Sequence, residues 1–176
     1  MSGNAKSAII QATIQLCAKK RIDGITVKDI VDAAKVTRQT FYYHFRDVID
    51  LMNCIFERLT QETIQACLAT PETEETVRVF FDLVLSHRQL MVKILHSELH
   101  TAAEHTMVNC LKEYYQAIIQ RKKLFETQPR ATVDTAVQFY AYATLGILME
   151  ADPDDPAAVE SLVHTVMLLL TGKMPL

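Results

Sequence analysis

Between Thr26 and Phe45 the chain has room for two short helices and a tight connection, and for little else. Thr26 followed three residues later by Asp29 is the Thr-x-x-Asp form of a capping box, which starts a helix. Ile30, Val31 and Ala34 supply its apolar face, and it ends near Ala34. Lys35 and Val36 form the connection, and Thr37 caps the next helix. There Phe41 and Phe45, four residues apart, share one face, with Val36 plugging the turn. Upstream, from about Ala5 to Lys20, Ile9, Ile10, Ala12, Thr13, Leu16 and Cys17 give the 3-4 repeat of a single buried face. Asp23–Ile25 is the turn between. A long helix, a turn, a short helix, a tight turn and a short helix make up a helix-turn-helix unit with a supporting first helix.

The third helix, in "KVTRQTFYYHF", carries its chemistry opposite the two phenylalanines. Thr37, Arg38, Gln39, Thr40, Tyr42, Tyr43 and His44 remain for the exposed sides. From Lys35 through Arg46 there are three basic residues and no acid. Arg38 can bind guanine through two hydrogen bonds, and Gln39 can bind adenine. The threonines can meet thymine methyls or phosphates, while Tyr42, Tyr43 and His44 can donate to backbone oxygens without reading sequence. The alternative is that a short aromatic helix simply packs in a core. Thr-Arg-Gln-Thr ahead of the aromatics argues against it, because those groups would need buried partners.

Charge is distributed in the same sense. Residues 1–50 hold eight Lys/Arg against five Asp/Glu, although the whole chain carries a net charge of −3. A basic head on an acidic body suits an anionic partner for the head, or simply a solvated surface. Lys19, Lys20 and Arg21 close the first helix; they read either as cations at a helix C-terminus or as DNA contacts.

"ITVKDIVDAAKVTRQTFYYHFRDVIDL", Ile25 to Leu51, resembles the N-terminal signature of TetR/AcrR-family transcriptional regulators. That signature runs from a Thr through a short helix, Ala-Gly-Val-Ser and a Tyr-x-His-Phe end to a Lys and a Leu opening helix 4. The resemblance covers about residues 5–55, and "RQTFYYHF" is similar in particular to the branch with the dihydroxyacetone-kinase operon regulators. It implies that Thr26 and Lys28 lie near phosphate or base edges, that Thr37, Arg38, Gln39 and Thr40 face the groove, and that Tyr42, Tyr43 and His44 clamp phosphates. Two positions depart from it. Lys35 stands where a turn Gly is usual, and Val48 where a Lys is usual, so one phosphate contact is missing and Arg46 is expected to compensate.

The rest reads as helices only, with 4 Gly, 5 Pro and 49% hydrophobic residues to build a core. Asp47 and Asp50 open a long helix to about Ala69, with Ile49, Met52, Ile55, Phe56, Leu59 and Thr63 inward. Further helices are expected over about Glu74–Ser86, Arg88–Leu95, Ala102–Phe125, Ala131–Glu150 and Ala157–Thr171, with "DPDDP" at Asp152–Pro156 as a linker. The expected fold is all-α with about nine helices. A helix-turn-helix DNA-binding domain would span residues 1–46, and a helical effector-binding and dimerisation domain residues 47–176.

The resemblance further implies a homodimer on a palindromic double-stranded operator, joined through the last two long helices. Gly146, Ala141 and Ala143 would allow close approach, and Val137, Leu145, Ile147 and Leu148 would supply apolar area. The final helix, with Leu162, Val163, Val166, Met167, Leu169 and Leu170, is apolar nearly all round. A small-molecule effector of unknown identity is implied as well. Phe80, Phe81, Met91, Tyr114, Tyr115, Phe139, Tyr140 and Met149 could line its pocket or simply be core. The expected function is a repressor released by that effector. The competing reading is a helical interaction adaptor, or an activator dependent on a co-regulator protein, on the same fold.

Other chemistry is weakly signalled. His96, His100 and Glu104 form one stripe if helical, yet they lack the H-E-x-x-H order, and surface histidines are the plainer reading; no metal or cofactor is expected. Without a Gly-rich phosphate loop or a nucleophile–base motif, an enzyme is not expected. Cys17, Cys54, Cys67 and Cys110 are scattered, no secretory signal is visible in "MSGNAKSAII", and the longest uncharged run, Thr135–Met149, is short of the ~20 residues of a membrane span. A reduced, cytoplasmic chain without membrane contact is the expectation.

Overall fold

In the computed structural model the described residues, 2–151 and 155–170, form nine α-helices and one 3₁₀ turn, with no strand among them. In chain order they are α1 (Ser2–Lys19), the 3₁₀ turn (Ile22–Gly24), α2 (Val27–Ala34), α3 (Arg38–His44), α4 (Val48–Ala69) and α5 (Thr73–Ser86). Then follow α6 (Arg88–Leu95), α7 (His100–Arg121), α8 (Arg130–Glu150) and α9 (Pro156–Leu170). Residues 152–154 of the expected linker, and the expected helix end at Thr171 with the tail after it, lie outside the described residues.

The largest shift from expectation is the end of α7, four residues before Phe125. Lys123 and Phe125 take left-handed backbone conformations, φ 53° and 60°, which a continuing helix cannot contain. The N–H of Leu124 instead returns to the carbonyl of Ile119 at 3.0 Å, closing the helix end.

Two compact units make up the chain. One comprises the residues up to Arg58 together with Gln89–Thr106. Its interior holds Ile9, Ile10, Cys17, Ile30, Val31, Phe41, Phe45, Leu51, Met52, Ile55 and Ile94, all buried. Thr13 is buried with them, and its hydroxyl donates to the Ile9 carbonyl at 2.8 Å, so the core contains no orphaned polar atom there.

On α4 the inward face differs in one respect. Ile49, expected inside, is 41% exposed, whereas Leu51 is fully buried. Asp47 caps the helix by accepting the N–H of Asp50 at 2.8 Å, which fixes its start. At about 100° per residue, the stripe of Leu51, Met52, Ile55 and Phe56 then leaves Ile49 a quarter-turn off its middle. Leu59 is half-buried.

The second unit holds Leu59–Arg88 and the residues from Met107 onward. There α5 packs on α9, and the Arg78 guanidinium grips the Glu160 carboxylate through both of its terminal nitrogens. Arg88 closes the end of α8 by donating to the carbonyls of Leu148 and Met149 at 3.1 and 2.6 Å. Phe80, Phe81 and Tyr114 are buried as an aromatic cluster, with Phe80 and Tyr114 ring centroids 4.4 Å apart. On α8, Val137, Ala141, Leu145 and Leu148 are buried within the chain itself. They are therefore core, not the partner-facing area that their apolar character suggested.

Candidate nucleic-acid interface

The helix-turn-helix is locked at three points. At the first, the Thr26 hydroxyl accepts the N–H of Asp29 at 3.2 Å, and the Asp29 carboxylate accepts the Thr26 N–H at 2.9 Å. This is a complete capping box, and Lys20 adds a bond to the same carboxylate at 2.9 Å. Together the hydrogen bonds from Lys20 and Thr26 hold the Asp29 carboxyl well below the usual carboxylate range.

At the second, α2 ends in a left-handed residue, Lys35, with φ 54° and ψ 44°. The N–H of Val36 then reaches the Val31 carbonyl at 3.0 Å. The resemblance placed a usual Gly here; the lysine keeps the glycine-like backbone and carries its strain. At the third, Thr37 caps α3 by accepting the N–H of Thr40 at 3.0 Å.

These locks set the orientation of α3. Phe41 and Phe45 point inward, 0% and 3% exposed, with ring centroids 5.8 Å apart. On a helix of 3.6 residues per turn, Gln39 and Tyr43 then lie opposite that pair, with Arg38 and Tyr42 on the adjoining flank. Arg38 and Gln39 are exposed, and among the described residues neither side chain has a hydrogen-bond partner. Tyr42 and Tyr43 are 57% and 77% exposed. Tyr42 sits edge-on to Phe41 at 5.4 Å, yet both tyrosines stay largely exposed beside Arg38 and Gln39, which gives this side of the helix a polar, hydrogen-bonding surface.

The remaining expected residues divide by position. Thr26, Lys28 and Thr37 are exposed at the starts of α2 and α3. Thr40 is half-buried, its hydroxyl 2.9 Å from that of Thr37. His44 is half-buried, edge-on to Tyr43 at 4.9 Å. Arg46 is exposed and leans on Asp50 at 3.5 Å. One cation escaped the sequence reading: Lys6 of α1 places its ammonium 5.6 Å from the Phe45 ring, at the C-terminal end of α3. Nothing in the spacing of residues 6 and 45 signals that proximity.

Met91 belongs to the first compact unit, while Phe80, Phe81, Tyr114, Tyr115, Phe139, Tyr140 and Met149 belong to the second. Of these, Phe80, Phe81 and Tyr114 are packed core and Phe139 is 67% exposed. His100 pairs with Glu104 at 3.6 Å, and its Nδ1 lies 2.7 Å from the Leu95 carbonyl, while the Nδ1 of His96 lies 2.8 Å from that of Val92. Among the described residues no group of three His, Cys, Asp or Glu is placed to hold a metal ion. No described helix is long and apolar enough to cross a membrane.

Comparison with known proteins agrees with the geometry. Residues 9–52 match the family model for bacterial regulatory proteins of the tetR family. The whole chain is similar in fold to the dihydroxyacetone kinase operon activator DhaS, with a TM-score of 0.71 at 18% identity over 96% of this chain and 95% of that one. It is likewise similar to the TetR family repressor AlkX from Dietzia sp. strain DQ12-45-1b, with a TM-score of 0.66 at 16% identity, covering 97% and 98% of the two chains. A third similar structure is a TerR/AcrR-family transcriptional regulator from Aquifex aeolicus VF5, with a TM-score of 0.62 at 19% identity over 94% and 99%. Residues 9–52 therefore carry the match to the bacterial regulatory proteins of the tetR family, and the chain as a whole shares the fold of the solved regulators named above.

Proposed function

We propose that the chain is a dimeric operator-binding regulator, a repressor released by a small-molecule effector, with α3 inserted in the major groove. The observation that carries this reading is the exposure of Arg38 and Gln39 at the start of a helix whose Phe41 and Phe45 are buried. Arg38, Gln39, Thr37 and Thr40 meet base edges. Thr26, Lys28, Tyr42, Tyr43, His44 and Arg46 hold the backbone on either side. A domain of residues 1–46 reads DNA, and residues 47–176 serve effector binding and dimerisation. In a dimer the two α3 helices stand ~34–36 Å apart, one turn of the duplex.

The test is an electrophoretic shift with the gene's own upstream region. Arg38→Ala is expected to lose ~1–3 kcal/mol at one base position and relax specificity there, whereas Tyr42→Phe weakens all sequences alike. Equal affinity of the unaltered protein for unrelated duplexes would remove the operator reading. The likeness to an operon activator favours a second reading, activation with a co-regulator from the same helix-turn-helix. A reporter on the shifted promoter separates the two: deletion of the regulator raises expression for a repressor and lowers it for an activator.

A further inference from the structure

The basic triplet at the end of α1 is not needed to neutralise that helix terminus. Lys93 of α6 does so, with its ammonium 2.8 Å from the Cys17 carbonyl and 2.9 Å from that of Ala18. Lys19, Lys20 and Arg21 instead line a concave site of about 370 Å³ together with Ile22, Asp23, Lys93 and His96. Every one of these residues lies in the compact unit that carries α2 and α3.

The charges at this site do not cancel. Four cations meet there, in a chain whose net charge is −3. The two neighbouring carboxylates already have structural tasks. Asp23 accepts the N–H of Glu98 at 2.9 Å, and its second oxygen lies 3.7 Å from Arg21. Asp29 holds Lys20 with one oxygen and closes the α2 capping box with the other. Lys19 and Arg21 are exposed at the rim, and the long 3.7 Å contact of Arg21 with Asp23 holds its guanidinium only loosely against an arriving anion.

We propose that this concavity binds a small polyanion of the phosphorylated-metabolite class, its phosphate oxygens held by Arg21, Lys19 and Lys20. The size is at the lower end of small-molecule sites, ~300–1,000 Å³, and a guanidinium fork beside two ammoniums matches phosphate oxygens. The site also has a route to DNA recognition. An anion drawing Lys20 toward itself takes it from Asp29, the residue that fixes the first turn of α2, where Thr26 and Lys28 stand. Binding itself does not depend on the operator-reading proposal; only this coupling rests on it.

The same oxyanion chemistry is offered by the DNA backbone, so the experiment has two arms. In the first, inorganic pyrophosphate is titrated calorimetrically into the full chain and into a Lys19→Gln/Arg21→Gln double variant, with melting curves of both. The expected result is one pyrophosphate per chain and a raised melting temperature. The double variant, whose own melting is unchanged because both side chains are exposed, binds about tenfold more weakly or worse. In the second arm, the salt dependence of binding to a generic duplex is compared, and its slope is expected to be the same for both proteins. Absence of saturable pyrophosphate binding, or equal binding by the variant, overturns the proposal. A slope reduced by ~0.9 per removed cation, without pyrophosphate binding, also overturns it and assigns the triplet to the DNA backbone. Loss of operator reading in the shift assay leaves the first arm unaffected, so the two proposals fail separately.

Discussion

The N–H of Val36 meets the carbonyl oxygen of Val31 at 3.0 Å across Lys35, whose backbone is left-handed at φ 54°. A Cβ in that conformation costs ~1–2 kcal/mol, partly offset because glycine loses more entropy on folding. Lys35→Gly is therefore expected to stabilise the fold by about 0.5–1 kcal/mol, read as a higher urea midpoint with an unchanged slope. Lys35→Val should lower the midpoint. A lower midpoint for the glycine variant would mean that the lysine side chain contributes more than its backbone strain costs.

Val48 opens α4 where a lysine was expected, and it is half-buried. The Arg46 side chain next to it is 85% exposed, held only loosely by Asp50 at 3.5 Å. If Arg46 stands in for the missing cation, Arg46→Gln flattens the dependence of log K on log salt by ~0.9 for a duplex. Val48→Lys steepens it by a similar amount. Filter binding across a salt series reads both, and an unchanged slope for Arg46→Gln removes Arg46 from the contact set.

Much of this head could be read from the chain because its signals are local. Thr26 with Asp29 and Phe41 with Phe45 each lie within four residues, and Thr37 is a cap signal by itself, so residue type and spacing alone locate them. Lys6 beside Phe45 and Lys93 on the Cys17 carbonyl join distant segments, and no periodicity reports such pairs. The α8 stripe misled for a different reason. Apolar residues at helical spacing mark a buried face without saying whether the chain or a partner buries it, and here the chain itself buries Val137, Ala141, Leu145 and Leu148.

Asp29 makes the first turn of α2 sensitive to acid. Its carboxyl is depressed by Lys20 and Thr26, so its contribution is complete above the unfolded aspartate pKa of ~3.9. As the pH falls below that value the unfolded chain binds the proton first, and the contribution shrinks until the folded carboxyl is protonated as well. Asp29→Asn is expected to be less stable at neutral pH, with the difference from the unaltered protein narrowing only below about pH 4. Urea denaturation between neutral and acid pH tests this, and a gap that is constant with pH would show the charge of Asp29 to be irrelevant.

Cys17 and Cys67 are 1% and 0% exposed, and burial pushes both thiols up, Cys17 to about 11 despite the nearby Lys93. At pH 8 almost none of Cys17 exists as the reactive thiolate, and burial shifts Cys67 in the same direction. Iodoacetamide should leave both unmodified in the folded protein and alkylate them in urea, as resolved by peptide mass spectrometry. Alkylation of Cys17 under native conditions would show that the α1 end opens readily.

On α8 the side left open is defined by Phe139 and Tyr142, 67% and 52% exposed and three residues apart on one face. At Gly146, one turn further, no atom of the described residues beyond its own stretch of helix comes within 4 Å of where a Cβ would stand. Beside it, Ile147 together with Ala158, Val159 and Leu162 of α9 lines a mainly apolar hollow of about 520 Å³. Large aromatic side chains and an open glycine on adjoining turns form a surface that a second copy can cover, with the glycine allowing close helix approach. Phe139→Glu is expected to convert a dimer into a monomer by light scattering, with the helical circular dichroism retained because the residue is outside the core. Operator affinity should fall with it, since two recognition helices no longer act as one ligand. A variant that still elutes as a dimer would place the partner contact on another face of the chain, and an unaltered protein that elutes as a monomer would remove the two-fold operator reading with it.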